Sequence, residues 1–190
     1  MLNIVLFGAP GCGKGTQSEL LEKRFALRHI STGNVIRQQI AAKSELGLQM
    51  QACIERGELA PDQLVIDMIA DYVANHNEGA GVIFDGFPRT TPQAEALDKI
   101  LAKSSEEVTA TVSIMIPDEM VMERIKGRAL KEGRADDASE DIINNRIATY
   151  HAQTEPLIEY YTKAAKYHEA DGVGTIEEIR ERIFAIMDRF

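Results

Sequence analysis

Short apolar runs alternate along the chain with longer segments whose apolar residues recur at helical spacing. The runs that predict β-strands lie at positions 2–7, 29–30, 82–85, 109–116 and 167–170. Strands that alternate with helices in this way are typical of a parallel sheet wound with helices. The pattern therefore predicts an α/β fold with a five-stranded parallel sheet.

The longer segments predict helices. One with a one-sided apolar stripe lies at 62–77, and the next begins at Asp118, as its N-cap, and ends near residue 130. A long helix is predicted from Ser139 to about residue 165. The last helix has an apolar face that begins at Ile176 and ends at Met187.

Two segments interrupt the alternation. Residues 31–60 have a helical pattern but no strand, which predicts a small helical insertion after the second strand. Residues 131–137 form a short polar loop between two predicted helices. With 190 residues and 44% hydrophobic content, the chain is expected to form one compact α/β domain that carries these small additions.

Composition excludes several classes of protein. The net charge of −9 argues against a nucleic-acid-binding surface, which needs a basic face. The apolar runs are far shorter than the roughly 20 residues of a membrane helix, and Met1 leads directly into the first strand, so neither a membrane span nor a signal peptide is expected. Cys12 and Cys53 have no paired spacing, which predicts neither a disulfide framework nor a cysteine zinc site and favours the cytoplasm.

A glycine-rich stretch follows the first predicted strand and precedes a helical segment at 17–25. It runs Gly8-Ala9-Pro10-Gly11-Cys12-Gly13-Lys14-Gly15-Thr16. Strand, glycine turn and helix are the context of a phosphate-binding loop, in which backbone N–H groups and the helix N-terminus face an anion. Lys14 can then reach the β- and γ-phosphates of a nucleotide, and Thr16 can ligate Mg²⁺. A flexible glycine turn would explain neither Lys14 nor the preceding strand.

A second motif ends the third predicted strand, and it reads Asp85-Gly86-Phe87-Pro88-Arg89. A carboxylate at the carboxyl end of a strand near the phosphate loop is where an acid that holds Mg²⁺ is expected. An aspartate that only caps a turn is the alternative. Arg89 favours the first interpretation, because it adds a cation at the same edge of the sheet.

Arginines are concentrated in the second half of this acidic chain. Arg124 and Arg128 are four residues apart and share a helix face, Arg134 lies in the polar loop, and Arg146 lies in the next helix. Phosphoryl transfer spreads negative charge over oxygens that guanidinium groups bind in pairs. The set therefore indicates a phosphate site rather than surface solvation. Asp136 and Asp137 follow the loop arginine and can orient it and its neighbours, with loop solvation as the alternative.

With these motifs in this order, nearly the whole chain resembles the adenylate kinases, of the nucleoside monophosphate kinase family. Gly15 separates Lys14 from Thr16, as in that family, and Ser31-Thr32-Gly33-Asn34-Val35-Ile36-Arg37 resembles its acceptor-binding segment, although many members have Asp where Asn34 stands. The resemblance implies a P-loop NTPase fold with a core of residues 1–30, 61–128 and 139–190, an AMP-binding insertion at 31–60 and a short lid at 129–138. The lid lacks the cysteines that bind zinc in some relatives, so no zinc is expected.

The resemblance also implies the roles of individual residues. The ATP-binding residues would be Gly11, Cys12, Gly13, Lys14, Gly15, Thr16, Arg128 and Gly174. The AMP-binding residues would be Thr32, Arg37, Glu58, Leu59, Ala60, Gly86, Phe87, Pro88, Arg89, Gln93, Arg134 and Arg146. The catalytic residues would be Lys14, Arg89, Arg124, Arg134 and Arg146. Thr16 and Asp85 would hold Mg²⁺, Asp85 through water. Simple structural roles stay open for Thr32 as a helix cap, Arg37 as a solvated residue and Gly174 as a turn.

Two other functions compete with the adenylate kinase interpretation. A pyrimidine monophosphate kinase of the same fold typically has Ala in place of Thr32 and Asn in place of Gln93, whose amide complements the adenine edge. A GTP-dependent switch would need an Asn-Lys-x-Asp motif, which the sequence lacks. The expected activity is reversible, Mg-dependent phosphoryl transfer from ATP to AMP, giving ADP, by a cytoplasmic monomer that binds neither nucleic acid nor membranes.

Overall fold

Five parallel strands form one sheet in the computed structural model, which describes residues 1–75, 79–134, 137 and 139–190. The strands are β1 (Ile4–Phe7), β2 (Arg28–Ser31), β3 (Val82–Asp85), β4 (Ala110–Met115) and β5 (Tyr167–Asp171), in the order β2-β3-β1-β4-β5. All neighbouring pairs are parallel. The predicted α/β fold with a five-stranded parallel sheet is confirmed.

Helices cover both faces of this sheet. They are α1 (Lys14–Phe25), α2 (Thr32–Ala41), α3 (Glu45–Glu55), α4 (Asp62–Asn75), α5 (Thr91–Ala102), α6 (Asp118–Glu132), α7 (Glu140–Thr149), α8 (Leu157–Lys163) and α9 (Ile176–Met187). Alternate residues of β1 point to opposite faces, so Val5 and Phe7 join one core cluster while Ile4 and Leu6 join the other. In the described ranges, no helix is both long enough and apolar enough to cross a membrane.

Two helix predictions need correction, and one helix was not predicted. Pro117 is the N-cap of α6 and Asp118 is its first helical residue, so Asp118 does not cap the helix. At the other end of the chain, Ile176 is 52% exposed and lies outside the apolar face of α9. Helix α5 adds an element that was not predicted, and Thr90 caps it by accepting a hydrogen bond from the Gln93 N–H. The predicted end of α4 at residue 77 lies outside the described residues.

The predicted long helix from Ser139 to about residue 165 is interrupted. Ser139 caps α7 as expected, but a π-helical turn at Tyr150–Thr154 follows Thr149. In that turn the N–H of Glu155 donates to the carbonyl of Tyr150 at 2.9 Å. Pro156, which has no N–H to donate, then precedes α8. The apolar spacing continues through the turn, so periodicity alone does not reveal the interruption.

The sheet order determines where a ligand can bind. Strand β1 lies in the middle of the sheet between β3 and β4, and β2 lies next to β3. The segments that leave β1, β2 and β3 therefore meet at one edge of the sheet. In open parallel sheets this carboxyl edge is where ligands bind.

Candidate active site

A cleft of about 430 Å³ opens at the carboxyl ends of the strands. It is lined by residues from every predicted phosphate-binding motif. The predicted site residues among its lining are Gly11, Gly13, Lys14, Gly15, Thr16, Arg37, Glu58, Leu59, Asp85, Gly86, Pro88, Arg89, Arg124, Arg128, Arg134 and Arg146. The fold thus gathers cations from distant parts of an acidic chain into one depression.

Main-chain carbonyl groups hold the ammonium of Lys14. Its Nζ donates to the carbonyl oxygens of Gly8 at 2.7 Å and Ala9 at 3.0 Å. Helix α1 begins at Lys14, because Gly13 precedes it with a φ of 104°, a conformation that a side chain disfavours. Since the carbonyl partners are neutral, they do not offset the positive charge of the ammonium at the N-terminus of α1, where an anion is already favoured.

Cys12 takes part in the phosphate loop through its backbone and through its Sγ, which lies 3.5 Å from Nζ of Lys14. Its side chain is fully buried and belongs to the core cluster around Ile4 and Ile114. Its N–H donates to Ala9 at 3.2 Å, and its carbonyl accepts a hydrogen bond from Nη1 of Arg124 at 3.2 Å. Nη2 of Arg124 donates to the carbonyl of Gly172 at 3.0 Å. Arg124 therefore joins the phosphate loop to the segment after β5.

Asp85, at the end of β3, is a buried carboxylate in a positive environment. Nε2 of His29 lies 3.4 Å from its Oδ2. Burial alone would raise the pKa of the Asp85 carboxyl, but the His29 hydrogen bond and the charges of Lys14 and Arg89 outweigh it, so the pKa is lowered. Asp85 therefore stays ionised at neutral pH.

The donor set of the cleft suits a magnesium ion shared with phosphates. Thr16 and Asp85 both line the cleft and offer a hydroxyl and a carboxylate oxygen. Among the residues that the structure describes, no group of three or more His, Cys, Asp or Glu side chains could hold a metal ion. Mg²⁺ is commonly bound through one or two protein oxygens together with substrate phosphates, which fits this pair.

One buried carboxylate holds two of the predicted arginines. Asp137 is 2% exposed and accepts from Nε of Arg128 at 2.8 Å and Nη2 at 2.9 Å. It also accepts from Nη1 of Arg146. Arg134 instead pairs with Glu132, with Nε 2.5 Å from the carboxylate. The three arginines of this lid end of the cleft are thus oriented by carboxylates. Asp136 lies outside the described residues.

A side pocket of about 50 Å³ adjoins the cleft. Its lining combines apolar side chains with five polar ones, and it includes Thr32, Ile36, Arg37, Leu59, Ala60, Val65, Gly86, Arg89, Gln93 and Arg146. Gly86 has a φ of 80°, and a Cβ there would lie 2.8 Å from both Arg89 Nη2 and Thr32 Oγ1. Thr32 Oγ1 and Arg89 Nε each donate to the Gly86 carbonyl at 2.8 Å. Any side chain at position 86 would therefore displace this pair.

The remaining predicted residues occupy different surroundings. Phe87 is fully buried in the core, so only its backbone can face the cleft. Glu58 lines the cleft and pairs with Arg56 at 2.7 Å. Gly174 lies apart, in an open depression of about 510 Å³ that it shares with Arg124 and Arg128. That depression is continuous with the arginine end of the cleft through these two side chains.

Sequence reasoning missed residues that the π-helical turn and α4 contribute. Tyr150 and Thr154, at the two ends of the turn, both line the cleft. Burial raises the pKa of Tyr150, so its hydroxyl is a neutral hydrogen-bonding group. Asp62 bonds to Gln93 from the first turn of α4, and its only sequence signal was its position at the start of a predicted helix.

Comparisons with known proteins agree on one family. The sequence model of the family described as adenylate kinase matches residues 6–166. A protein of Phocaeicola vulgatus named adenylate kinase is 47% identical over 189 residues, which cover 100% of both chains. Proteins of the same name from Flavobacterium johnsoniae and Porphyromonas gingivalis are each 45% identical, over 188 and 190 residues. These cover 99% and 100% of this chain and 99% and 97% of the relatives.

Proposed function

Because the chain belongs to the adenylate kinase family, as its motifs predicted, we propose that it transfers the terminal phosphoryl group of ATP to AMP, reversibly and with Mg²⁺, giving two ADP. The observation that carries the proposal is the composition of one cleft. One end is a phosphate loop with Lys14, and the other has arginines beside a side pocket with Gln93. Two nucleotides bound from these ends would meet at their phosphates.

The residues of the cleft supply position and charge. Lys14 would neutralise the β- and γ-oxygens of ATP, while Arg89, Arg124, Arg134 and Arg146 would hold the acceptor and transferring phosphates in line. Thr16, and Asp85 through water, would hold Mg²⁺, which would supply further charge neutralisation. A phosphate oxygen of AMP is already a competent nucleophile, so the mechanism uses no general base.

Two segments would close the site against water. The insertion 31–60 would cover AMP, and the lid 129–138 would bring Arg134 over the phosphates. These segments, with the core 1–30, 61–128 and 139–190, complete the proposed division of the chain. Adenine nucleotide homeostasis in the cytoplasm, by a monomer, is the proposed cellular role, and the free thiols of Cys12 and Cys53 fit a reducing compartment.

Thr32 and Gln93 support AMP as the acceptor over a pyrimidine nucleotide. Gln93 reaches the side pocket with an amide, whose donor and acceptor match the adenine N1 and 6-amino groups. The side pocket also has apolar side chains, among them Ile36 and Val65, which suit a flat base.

A coupled assay with Mg-ATP and each of AMP, CMP, UMP and GMP tests the function. We expect a kcat/KM for AMP at least about a hundredfold above the others. A preference for CMP or UMP would establish the pyrimidine kinase instead. Tight retention of GTP without acceptor-dependent turnover would establish a nucleotide switch.

A further inference from the structure

Asp62 lies behind the side pocket and has no role in the function described so far. It begins α4, and its Oδ1 accepts a hydrogen bond from Nε2 of Gln93 at 2.7 Å. Its Oδ2 accepts from the hydroxyl of Thr90 at 3.0 Å. The same hydroxyl accepts a hydrogen bond from the backbone N–H of Gln93 at 3.3 Å. Both carboxylate oxygens are therefore engaged, and rotation of the carboxylate would break a bond.

The Gln93 amide is held from its other side as well. Its Oε1 accepts a hydrogen bond from the Arg89 N–H at 2.7 Å. Gln93 is only 2% exposed, so water has little access to replace either partner. An ionised carboxylate only accepts and a backbone N–H only donates, so just one orientation of the amide satisfies both. The reversed amide would place oxygen against the carboxylate and N–H against N–H.

We propose that Asp62 is a positioning residue that fixes the Gln93 amide in one orientation and so makes the acceptor site reject 6-oxopurine nucleotides. The proposal rests on the proposed function, in which Gln93 faces the acceptor base. Adenine offers a 6-amino donor beside an N1 acceptor, whereas hypoxanthine and guanine offer a 6-oxo acceptor beside an N1–H donor. A freely turning amide would match either edge, but a fixed amide matches only one.

The base would contact the hydrogen-bonding groups of the Gln93 amide that no described residue uses. In this orientation one amide N–H and one lone pair of Oε1 are not used by the described residues. They can donate to N1 and accept from the 6-amino group of adenine. A 6-oxopurine would meet two like groups, or would force the amide away from Asp62 and Arg89 together.

The test measures kcat/KM for AMP and for IMP, whose hypoxanthine changes the edge without adding a 2-amino group. In Asp62→Ala we expect the AMP-to-IMP ratio to fall by about tenfold or more, with the KM for ATP unchanged within about twofold. Asp67→Ala is the matched control, since Asp67 is an exposed aspartate on the same helix that bonds only to Gln63 among the contacts described. That variant should keep the wild-type ratio.

Introducing Asp62→Ala into a variant that lacks Gln93 separates an effect on the orientation of the amide from a general structural effect. The Gln93→Leu variant lacks the amide that would contact the base. Adding Asp62→Ala to it should therefore change the AMP-to-IMP ratio by less than about twofold. If Asp62→Ala does not fold, Asp62→Asn keeps the volume, and because an amide can also donate, it should lower the ratio in the same direction.

The outcomes distinguish the inference from the proposed function. A folded Asp62→Ala, or failing that a folded Asp62→Asn, with the wild-type AMP-to-IMP ratio would overturn the role of Asp62 alone. An equal drop in the ratio in the Gln93→Leu background would also overturn it. A wild-type protein that forms no ADP from ATP and AMP would instead overturn the proposed function, and the inference with it.

Discussion

The two ends of the cleft hold their cations in different ways. At the phosphate loop, Lys14 and Arg124 donate to main-chain carbonyl oxygens of Gly8, Ala9, Cys12 and Gly172. At the lid end, arginines bond to carboxylates, with Asp137 between Arg128 and Arg146 and with Glu132 beside Arg134. Neutral partners leave a cation its full charge, whereas a carboxylate cancels most of it. In the proposed function, phosphate would bind the first end beside cations with neutral partners, whereas at the second end it would have to replace a carboxylate that already pairs with the arginines.

The largest effect on kcat should come from the phosphate-loop end, where carbonyl groups hold the cations. Lys14→Met should lower kcat by about a thousandfold with a much smaller change in ATP binding, because the loop N–H groups still bind ground-state phosphates while the ammonium acts on the developing charge. Steady-state kinetics with saturating AMP would measure both. Lys23→Met, an exposed lysine of the same helix, should leave kcat unchanged. An unchanged kcat with only a raised KM for ATP would contradict this role of Lys14.

Among the carboxylate-held arginines, Arg134 should have the largest kinetic effect. Arg134→Ala should lower kcat by about a hundredfold, because the guanidinium group of Arg134 would neutralise the oxygens of the transferred phosphoryl group only in the closed complex. Its unfolding free energy should change by less than about 1 kcal/mol, as for other solvent-accessible ion pairs. Arg56→Ala is the control, since Arg56 also pairs with a glutamate two residues away but does not line the cleft. Near-normal turnover in Arg134→Ala would refute the proposed role.

Substitution of Asp137 tests whether its buried carboxylate contributes to the free energy of unfolding. Asp137→Ala should lower the unfolding free energy by about 2–4 kcal/mol, because two partly buried arginines lose their shared counter-charge. Denaturant unfolding measures this, and saturating ADP should recover part of the loss if phosphate replaces the carboxylate. Glu140→Ala removes a carboxylate from an exposed pair, with Lys126, that joins the same two helices, and should cost less than about 1 kcal/mol. Equal losses of unfolding free energy in both variants would show that the buried carboxylate stabilises the protein no more than the exposed one.

The smallest effect concerns a carboxylate-held cation on the surface. The hydrogen bond to Glu155, assisted by Asp118, raises the pKa of His151. Its contribution is therefore complete below the unfolded pKa of about 6.5 and is lost as pH rises through the folded value. Between about pH 6 and 9, the stability advantage of wild type over His151→Gln should fall from less than about 1 kcal/mol toward zero.

His168 is the control of opposite sign. Burial and the charge of Arg189 lower its pKa, so its contribution is lost as pH falls rather than as pH rises. The stability difference between wild type and His168→Gln should therefore change in the opposite direction, and it should do so as pH falls below about 6.5. Parallel curves for the two variants would show that neither histidine is coupled to its neighbours in this way.

The same contrast explains what the sequence could predict. The phosphate loop is contiguous, so its glycines, Lys14 and Thr16 could be identified together from spacing and from the strand before them. The sheet followed from the alternation of apolar runs, with strand ends accurate to two residues. Asp62 and Gln93 are 31 positions apart, and neither helix pattern indicates that they touch. Asp137 was expected to orient arginines, but which two it holds depends on how α6 and α7 pack.

The π-helical turn places a phase constraint on the chain. Arg146 before the turn and Tyr150 at its start line the cleft, while Leu157 and Tyr161 after it are almost fully buried in the core. A π-helical turn takes up one residue more than an α-helical turn, so deleting a residue from it would leave both sides in phase, whereas deleting a residue from α7 would rotate one side against the other by about 100°. Either the cleft or the core would then lose its side chains. We therefore expect a one-residue deletion to be tolerated better in the turn than in α7, because there the side chains of the cleft and of the core keep their directions.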